Sequence, residues 1–485
     1  MDITTGFIVI GVIHGVLYFF DNFFKTCAHY PYLKFLEGTG FQISFLSIKW
    51  KTKAFNRVII RWGNSRPRFL HLWFTLGLYA SLLLLPVSVL LLLYSFIQNV
   101  FVSAEGGVII EPVVPGVNLP VSELGYYSLT LVLCSIVHEL GHALAAVLEN
   151  VNLIDTGANI FYILPVAYVS LSTEKFSSLN RKNVLKILCA GIWHNLVLTL
   201  FAFLLFQALP FIFSSFYHVN KGITIANIAK HSPLLGSKGL SVGDTVYRVN
   251  DCDINDENKW YSCLQSLEGP KPAFCIESDV VHSLDESIPL KHLENGNLDC
   301  CDKEKSKNIC FEYLDSADGV LELPSHACLP GRSVVEKSTN FCSADPHACP
   351  NGFYCFRPIL ANGTNLFKII CEDKNVIYLG LASDIYRTVE VSSYIPNIFF
   401  NSTVLPDVVT KFVKYTAVIS LGLAIVNVIP FIYMDGQHIA DVLGLILLRK
   451  RCGKSGARII TVIITWFFTF ILVIQCLLTI LKVLL

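Results

Sequence analysis

The run from Tyr126 to Leu148 is apolar almost throughout and is long enough to cross a lipid bilayer as one helix. Apart from its two tyrosines and one cysteine, its only ionisable side chains are His138, Glu139 and His142. Ionisable groups at membrane depth are costly, and a cluster of three needs a partner that offsets this cost. The stretch therefore predicts a transmembrane helix that carries a functional site.

The motif inside this helix, His-Glu-Leu-Gly-His, has the spacing of a zinc site. Positions i and i+4 of a helix share one face, so His138 and His142 can offer two imidazole nitrogens to one zinc ion. Glu139 lies next to them and can act as general base toward a water molecule. The alternative is a chance match, since the pattern also occurs in unrelated soluble proteins. The apolar surroundings disfavour that alternative, because a cluster without a partner is expensive to insert.

The composition is typical of a membrane protein with several spans. The mean hydropathy is +0.55, 53% of the residues are hydrophobic and only 15% are charged. The net charge of zero gives no indication of a nucleic-acid partner, so we expect the lipid bilayer as partner and no nucleic acid. Together with residues 126–148, five further apolar segments predict six transmembrane helices, at 5–24, 69–96, 184–213, 408–433 and 459–481.

Charged residues in the loops predict the orientation of these spans. The loop 25–68 carries nine Lys and Arg residues, whereas 98–126 carries none. The loops 174–186 and 449–458 are basic again, so the positive-inside rule assigns all three basic loops to the cytosol. The region 214–407 and both termini are then expected on the opposite side. The start of the sequence lacks basic residues, so we expect the first span to be a retained anchor rather than a cleaved signal peptide.

Cysteines are concentrated in one region. Eleven of the sixteen lie between Cys252 and Cys371, a density that predicts a disulfide-bonded domain in an oxidising compartment. Two N-glycosylation sequons, at Asn362 and Asn401, lie in the same region. Zinc ribbons are the alternative, but the spacings give no pair of C-x2-C units. The odd number of cysteines leaves at least one thiol free or paired outside the region.

The cysteine-rich region opens with a pattern that is similar to the core of a PDZ domain. A β-rich run at 223–229 is followed by a Ser-Pro turn at 232–233 and by a Gly-Asp turn before a second strand at 245–250. PDZ domains bind peptides by adding a strand to a sheet edge. The pattern stops after about residue 254 and is expected to resume near Val376. The alternative is an ordinary β domain without a peptide groove.

The two histidines leave one ligand to be found, because catalytic zinc usually has three protein ligands and a water. Glu149 follows His142 by seven residues on the same helix and cannot fold back to the metal. Glu174 lies in a basic loop and is a weak candidate. Asp435 is a better candidate, because it follows a span whose helix Pro430 would break at membrane depth. The alternative for Asp435 is a hydrated residue at the end of a helix.

Residues 159–171 are too interrupted to form a clean span. Their β-branched and aromatic content predicts a re-entrant strand. A transmembrane helix hides its carbonyl groups in hydrogen bonds, so a substrate has to unwind before it can be cleaved. We therefore expect this strand to pair with an unwound substrate segment.

Three motifs, in this order, resemble the site-2 protease family of intramembrane zinc metalloproteases: His-Glu-Leu-Gly-His at 138–142, G-x-x-x-N at 191–195 and N-x-x-P-x-x-x-x-D-G at 427–436. The resemblance covers most of the chain after about residue 70. It implies one zinc ion per chain, bound by His138, His142 and Asp435. Glu139 is then the catalytic acid and base. Asn195 is expected near the site, where it positions substrate or helps to stabilise the oxyanion; the alternative is a polar contact between spans.

The expected fold is an α-helical polytopic membrane protein with about six transmembrane helices, a re-entrant β segment and an inserted lumenal β domain that is PDZ-like and cysteine-rich. His14, Asp21 and His194 are expected to be interior residues without a role in the site. We expect four parts: a first anchor with a basic loop at 1–68, a membrane core at 69–217, the inserted domain at 218–407, and a membrane core with the Asp-Gly motif at 408–485.

The resemblance also implies substrates and a location. Such proteases cleave membrane-anchored transcription factor precursors, such as sterol regulatory element-binding proteins, after a first lumenal cut, and they release the cytosolic fragment. The chain is then expected in ER or Golgi membranes, where its inserted domain excludes substrates that keep an intact lumenal domain. Two alternatives remain. A non-catalytic scaffold or chaperone is disfavoured by the intact Glu139, and a zinc channel or transporter is disfavoured by the apolar spans 69–96 and 459–481.

Overall fold

The computed structural model describes most of the chain. The residues described are 3–101, 123–266, 271–292, 298–302, 308–314, 325–338, 340–343, 345, 349–361, 363–397 and 402–484. Both predicted glycosylation sites, Asn362 and Asn401, and most of the 98–126 loop lie outside these residues.

The described residues form fourteen helices and sixteen strands. The helices are α1 (Ile3–Thr26), α2 (Tyr30–Thr39), α3 (Asn56–Ser65), α4 (Pro67–Phe101), α5 (Leu124–Leu148), α6 (Thr173–Ser178), α7 (Arg181–Phe213), α8 (Glu257–Ser266), α9 (Ser278–Leu284), α10 (Gly331–Lys337), α11 (Ala382–Thr388), α12 (Val404–Val428), α13 (Asp435–Leu447) and α14 (Arg449–Leu484). The strands are β1 (Phe41–Ser44), β2 (Ser47–Thr52), β3 (Leu153–Phe161), β4 (Leu164–Leu171), β5 (Tyr217–Ile228), β6 (Thr245–Val249), β7 (Cys252–Asp253), β8 (Phe274–Glu277), β9 (Lys291–His292), β10 (Leu298–Asp299), β11 (Ile309–Tyr313), β12 (His326–Leu329), β13 (Phe353–Pro358), β14 (Thr364–Cys371), β15 (Asn375–Leu381) and β16 (Val389–Pro396).

The prediction of six membrane-spanning helices is confirmed, and the chain is an integral membrane protein. In the part of the chain that the structure describes, the helices long and apolar enough to cross a bilayer are α1, α4, α5, α7, α12 and α14. The predicted end of the fifth span, at residue 433, is wrong because α12 stops at Val428. Pro430 disfavours helical backbone in the residue before it and lacks an N–H group for a helix. The chain therefore turns, and a new helix, α13, begins at Asp435.

One compact unit of the structure contains residues Met1–Gln207 and Thr410–Leu485. Within it, α5 is the most enclosed span. Of its most apolar stretch, 56% is buried, whereas the figure for each of the other spans is at most 28%. Ala143, Ala145 and Ala146 of α5 are at most 1% exposed. Small side chains let helices in a membrane approach closely, where packing rather than water drives their association. The helix that carries the histidine motif is therefore the core of this unit.

A small antiparallel sheet, with strand order β1-β2-β3-β4, belongs to the same unit. The strand character predicted for residues 159–171 is confirmed, but the segment is not one strand. It contains the end of β3, a turn and all of β4. Tyr162 takes a φ of +58° at this turn. Neither residue of the turn is Gly or Pro, so the sequence offers no common turn signal there.

The second compact unit, Ala208–Val409, contains the inserted β domain. Its larger sheets have the orders β15-β14-β6-β5-β16 and β12-β11-β13-β8. Five disulfides join Cys252 to Cys263, Cys275 to Cys349, Cys300 to Cys310, Cys301 to Cys328, and Cys342 to Cys355. The eleventh cysteine, Cys371, is free and buried, and burial raises the pKa of its thiol to about 12, so it is protonated at neutral pH. The predicted disulfide-rich β domain is confirmed.

The strand that opens the PDZ-like pattern, β5, is paired on both sides. β6 pairs with one edge over two residues. β16 runs antiparallel along the other edge, from the Tyr217–Pro396 pair to the Ile228–Val389 pair. The backbone groups to which a peptide strand would add are therefore used within the chain itself. Peptide capture along this edge of β5 requires β16 to leave.

Candidate metal centre

Two imidazoles and one carboxylate converge in the membrane unit. The Nε2 atoms of His138 and His142 are 3.1 Å apart. Oδ2 of Asp435 lies 3.0 Å from the first nitrogen and 3.1 Å from the second. Both histidines are buried. The structure therefore brings together the three predicted ligands, although 297 positions separate His138 from Asp435.

The local sequence explains how these side chains meet. The two histidines lie one turn apart on the same face of α5, with ring centroids 4.7 Å apart. Asp435 is the first residue of α13 and follows the extended residue Met434. Gly436 lets α13 begin against the end of α12, because a Cβ atom there would lie 2.1 Å from the carbonyl oxygen of Ile429. The Asp-Gly pair thus provides both a ligand and the space in which to place it.

The three donors fit a divalent metal ion. Two imidazole nitrogens and one carboxylate oxygen are ligand types found in catalytic zinc sites, which leave a fourth position open. All three donor atoms lie within 4.8 Å of one another. A shared metal ion would accept the lone pairs of the two Nε2 atoms, which lie 3.1 Å apart. His138, His142 and Asp435 therefore form a metal-binding group.

Gly191 on α7 borders the metal-binding group. A Cβ atom at this position would lie 2.4 Å from Nε2 of His142 and 2.7 Å from Nε2 of His138. Such distances are too short for any side chain, so only glycine lets α7 pass this close to the ligands. Gly191 was expected only as part of the G-x-x-x-N motif, with no role of its own. A signal was present, because Gly191 lies four residues before Asn195 and therefore on the same face of a helix.

Glu139 is held by the backbone of β4. Its Oε2 atom accepts the N–H of Val169 at 3.0 Å. One turn earlier on α5, the Oγ atom of Ser135 accepts the N–H of Ala167 at 2.7 Å. These two N–H groups point away from β3, at the other edge of β4. Neither Ser135 nor Val169 could be found from the sequence, because each contact joins segments about 30 positions apart.

Asn195 contacts one of the candidate ligands. It lies on α7 and is fully buried. Its side-chain amide is 3.1 Å from Nδ1 of His138. Its backbone carbonyl accepts hydrogen bonds from the hydroxyl groups of Thr199 and Ser420, each at 2.9 Å. The residue expected near the site is therefore next to it, on the side of the His138 ring that faces away from Asp435.

Three other acidic residues, Glu149, Glu174 and Asp21, have different surroundings. Glu149 forms a buried ion pair with Lys186 at 3.0 Å. Glu174 is exposed on the short helix α6. Asp21 pairs with Lys25 one turn later on α1, at 2.7 Å. None of these carboxylates belongs to the metal-binding group.

The remaining histidines of interest pack inside the membrane unit. Nε2 of His194 accepts the indole N–H of Trp73 at 3.3 Å. Nε2 of His14 lies 2.9 Å from the carbonyl oxygen of Tyr162, at the turn between β3 and β4. Both rings therefore hold neighbouring elements together.

A second cluster of metal-ligating residue types, in the inserted unit, is formed by Cys275, Cys342 and Cys349. Cys275 is bonded to Cys349, and Cys342 is bonded to Cys355. A sulfur atom in a disulfide offers no thiolate to a metal ion. Of the groups found among the described residues, only the one on α5 and α13 is available as a metal centre.

Two comparisons with known proteins bear on this geometry. Residues 126–472 match the model of peptidase family M50. The chain is also similar to a protein of Arabidopsis thaliana described as a membrane-bound transcription factor site-2 protease homolog, with 25% identity over 440 residues. That similarity covers 81% of this chain and 84% of the plant protein. The family match contains all three residues of the metal-binding group.

Proposed function

This chain belongs to peptidase family M50, a family of metalloproteases, and we propose that it is an intramembrane zinc metalloprotease of the site-2 protease type. It hydrolyses a peptide bond within or near the transmembrane segment of a membrane-anchored protein. The cytosolic part of that substrate is then released from the membrane.

The observation that carries this proposal is the metal-binding group with a carboxylate beside it. His138, His142 and Asp435 converge in a largely apolar unit, and Glu139 is adjacent in sequence to the first ligand. We propose one zinc ion per chain, because zinc binds such nitrogen and oxygen ligands and leaves a position open. A carboxylate ligand offsets part of the charge of the ion, which makes the site less costly in apolar surroundings than three neutral histidines.

When bound, the zinc ion supplies Lewis acidity, which makes a water molecule acidic near neutral pH and polarises a carbonyl group. Glu139 accepts the proton of the attacking water and returns it to the nitrogen of the leaving amine. The N–H group of Val169 holds the Glu139 carboxylate in place next to the ligands. One water molecule is consumed for each peptide bond, because its hydroxyl goes to the carbonyl carbon and its proton goes to the amine.

The substrate has to present an extended backbone, because a helix keeps its carbonyl groups in hydrogen bonds. We propose that the edge of β4 next to Glu139 receives the unwound segment. The N–H groups of Ala167 and Val169 on this edge already bind Ser135 and Glu139. A substrate strand therefore has to displace these contacts or pair with β4 beyond them.

The proposed substrates are membrane-anchored transcription factor precursors, such as sterol regulatory element-binding proteins, that have first been cut on the lumenal side. Similarity to the plant protein described as a membrane-bound transcription factor site-2 protease homolog supports this class. The inserted, cysteine-rich unit resembles that of the animal member of the family. The five disulfides support a lumenal position for the inserted unit, in membranes of the ER or Golgi. The inserted unit then excludes precursors whose lumenal domain is intact.

The test compares the wild-type chain with Glu139→Gln in liposomes that contain a membrane-anchored reporter. We expect the variant to keep the zinc content of the wild type, because Glu139 is not a ligand. We expect its cleavage to fall by about 100-fold or more, because the general base is lost. Zinc is measured by mass spectrometry, and cleavage is measured as release of the soluble reporter fragment.

The matched control is Glu174→Gln, which removes an exposed carboxylate on α6 and should leave both quantities unchanged. Cleavage by Glu139→Gln at the wild-type rate would contradict the proposal and would favour a scaffold whose associated activity resides elsewhere. Zinc flux without any cleavage by the wild type would favour a transporter.

A further inference from the structure

The two ring nitrogens of His138 have different surroundings. Nε2 faces Asp435 and His142, at 3.0 Å and 3.1 Å. Nδ1 faces the side-chain amide of Asn195 at 3.1 Å. A neutral imidazole carries one proton, so a ring that offers Nε2 to a metal ion carries its proton on Nδ1. The N–H group at Nδ1 then needs an acceptor.

The amide of Asn195 can supply this acceptor. In the structure its Nδ2 atom lies toward the ring, while its Oδ1 atom is buried and has no hydrogen-bond partner among the described residues. The oxygen and nitrogen of an amide group have nearly the same shape, so a rotation of about 180° exchanges them in place. After this rotation, Oδ1 accepts the Nδ1–H of His138. The exchange replaces a contact between two donors with a hydrogen bond to His138, and it moves Nδ2 to the buried position that Oδ1 now occupies.

His142 shows the same arrangement with a different acceptor. Its Nδ1 atom lies 2.8 Å from the backbone carbonyl oxygen of Ile187 on α7. Both candidate ligands therefore direct Nδ1 at α7, one toward the backbone and the other toward the side chain of Asn195. The backbone of Asn195 is itself fixed, because the hydroxyl groups of Thr199 and Ser420 bind its carbonyl oxygen.

We propose that Asn195 is a positioning residue, which accepts a hydrogen bond from the Nδ1–H of His138 and so fixes both the tautomer and the direction of this ligand. It acts through His138, rather than by binding substrate or the oxyanion. The proposal rests on the proposed function only in that the group bound by His138 is a metal ion. Loss of such a partner typically weakens metal binding about 10- to 100-fold.

The experiment measures the zinc dissociation constant of the full chain in detergent by competition with a chromophoric chelator. We expect Asn195→Ala to bind zinc about 10- to 100-fold more weakly than the wild type. Asn195→Asp keeps an acceptor oxygen and should bind zinc as tightly as the wild type or more tightly. The control Gln207→Ala removes an exposed side-chain amide further along α7, so it should leave zinc affinity unchanged.

Thermal unfolding of the zinc-free proteins separates a loss of fold from a loss of positioning. If Asn195→Ala does not fold, the zinc affinities of Asn195→Asp and Asn195→Leu are compared instead. These two side chains are similar in size, but only Asp has an acceptor oxygen for His138. Equal zinc affinity in Asn195→Ala and the wild type would overturn the proposal. The proposal would also be overturned if Asn195→Asp bound zinc as weakly as Asn195→Ala and Asn195→Leu, which have no acceptor. A wild-type chain that binds no zinc would instead overturn the proposed function, so the two failures are distinguishable.

Discussion

Two glycines allow the ligands to meet, although neither contributes a functional group. Gly191 lies where a Cβ atom would overlap both histidines, and Gly436 lies where it would overlap the carbonyl oxygen of Ile429. In a membrane, helices approach most closely where side chains are small. The geometry of the metal-binding group therefore depends on these two glycines, which leave space for the ligands, as well as on the ligands themselves.

We predict that Gly191→Ala weakens zinc binding while the chain still folds. The added methyl group would lie 2.4 Å from Nε2 of His142, so the rings or α7 must shift. Overpacking of this kind costs typically about 1–3 kcal/mol, which corresponds to about a 5- to 150-fold loss of zinc affinity. Zinc affinity is measured by chelator competition and folding by thermal unfolding.

The control for this prediction is Gly422→Ala on α12, where an added Cβ atom meets nothing within 4 Å. It should leave zinc affinity at the wild-type value. Equal affinity in Gly191→Ala and the wild type would show that the closeness of α7 to the ligands is unimportant.

At the scale of single residues, the sequence predicted the ligands and not their partners. His138 and His142 stand in a local pattern whose chemistry depends only on helix periodicity. Asp435 could be chosen because its competitors, Glu149 and Glu174, failed on geometry or position. The orientation of Asn195 toward His138 depends on how α7 packs against α5. Such packing between distant segments cannot be predicted from a local sequence pattern.

Among the elements, α5 and β4 make the contact that positions the carboxylate of Glu139, the proposed general base. Ser135 and Glu139 stand one turn apart on α5 and accept alternate N–H groups of β4. Residues two apart on a strand point to the same side, which matches one turn of a helix closely enough for both bonds. The strand is therefore fixed in register against the helix, and Glu139 is fixed with it.

We predict that Val169→Pro lowers cleavage about tenfold without loss of zinc. Proline removes the N–H group that binds Glu139, and hydrogen bonds to charged groups contribute about 1.5–3 kcal/mol. The sheet should persist, because this N–H points away from β3, and proline is tolerated at such edge positions. Pro165 already occupies the same edge of β4. Cleavage of the membrane-anchored reporter and zinc content are the measurements.

Ala167→Pro is the matched control, because it removes the N–H bonded to Ser135 and leaves the bond to Glu139 intact. It should cleave faster than Val169→Pro. If the two variants cleave equally, the Glu139 contact has no special importance. If both cleave like the wild type, pairing of a substrate with these two N–H groups is also excluded.

Element predictions from the sequence succeeded where the signal was a long apolar run and failed at ends and turns. Six spans followed from length and hydropathy. The end of α12 at Val428 was missed because apolar residues continue past Pro430 after the helix has stopped. The turn at Tyr162 was missed because its positive φ falls on a tyrosine, which seldom marks a turn.

At the level of the whole molecule, the metal-binding group and the disulfides belong to different compact units. All three residues of the metal-binding group, with Glu139 and Asn195, belong to the unit formed by Met1–Gln207 and Thr410–Leu485. The unit Ala208–Val409 carries the five disulfides and no part of that group. The sequence indicated this division through the change from apolar spans to dense cysteines, but the pairing of β16 with β5 joins distant segments and could not be foreseen.

We predict that removal of the inserted unit abolishes selection by substrate size. Tyr217 and Pro396 are paired residues at the ends of β5 and β16, so their Cα atoms lie about 5 Å apart and a short Gly-Ser linker can replace everything between them. The shortened chain should cleave precursors with intact lumenal domains as well as trimmed ones, whereas the full chain should cleave only trimmed ones. Continued rejection of intact precursors by a shortened chain that still cleaves trimmed ones would count against the size filter.

X-ray absorption at the zinc edge of the purified chain shows whether His138, His142 and Asp435 bind one zinc ion. We expect one zinc ion per chain, surrounded by nitrogen and oxygen atoms at about 2.0–2.2 Å with the signature of two imidazoles. The variants His142→Ala and Asp435→Ala should lose this zinc. A shell of sulfur atoms at about 2.3 Å, or an unchanged zinc content in both variants, would place the metal elsewhere, and the proposed zinc site would be wrong.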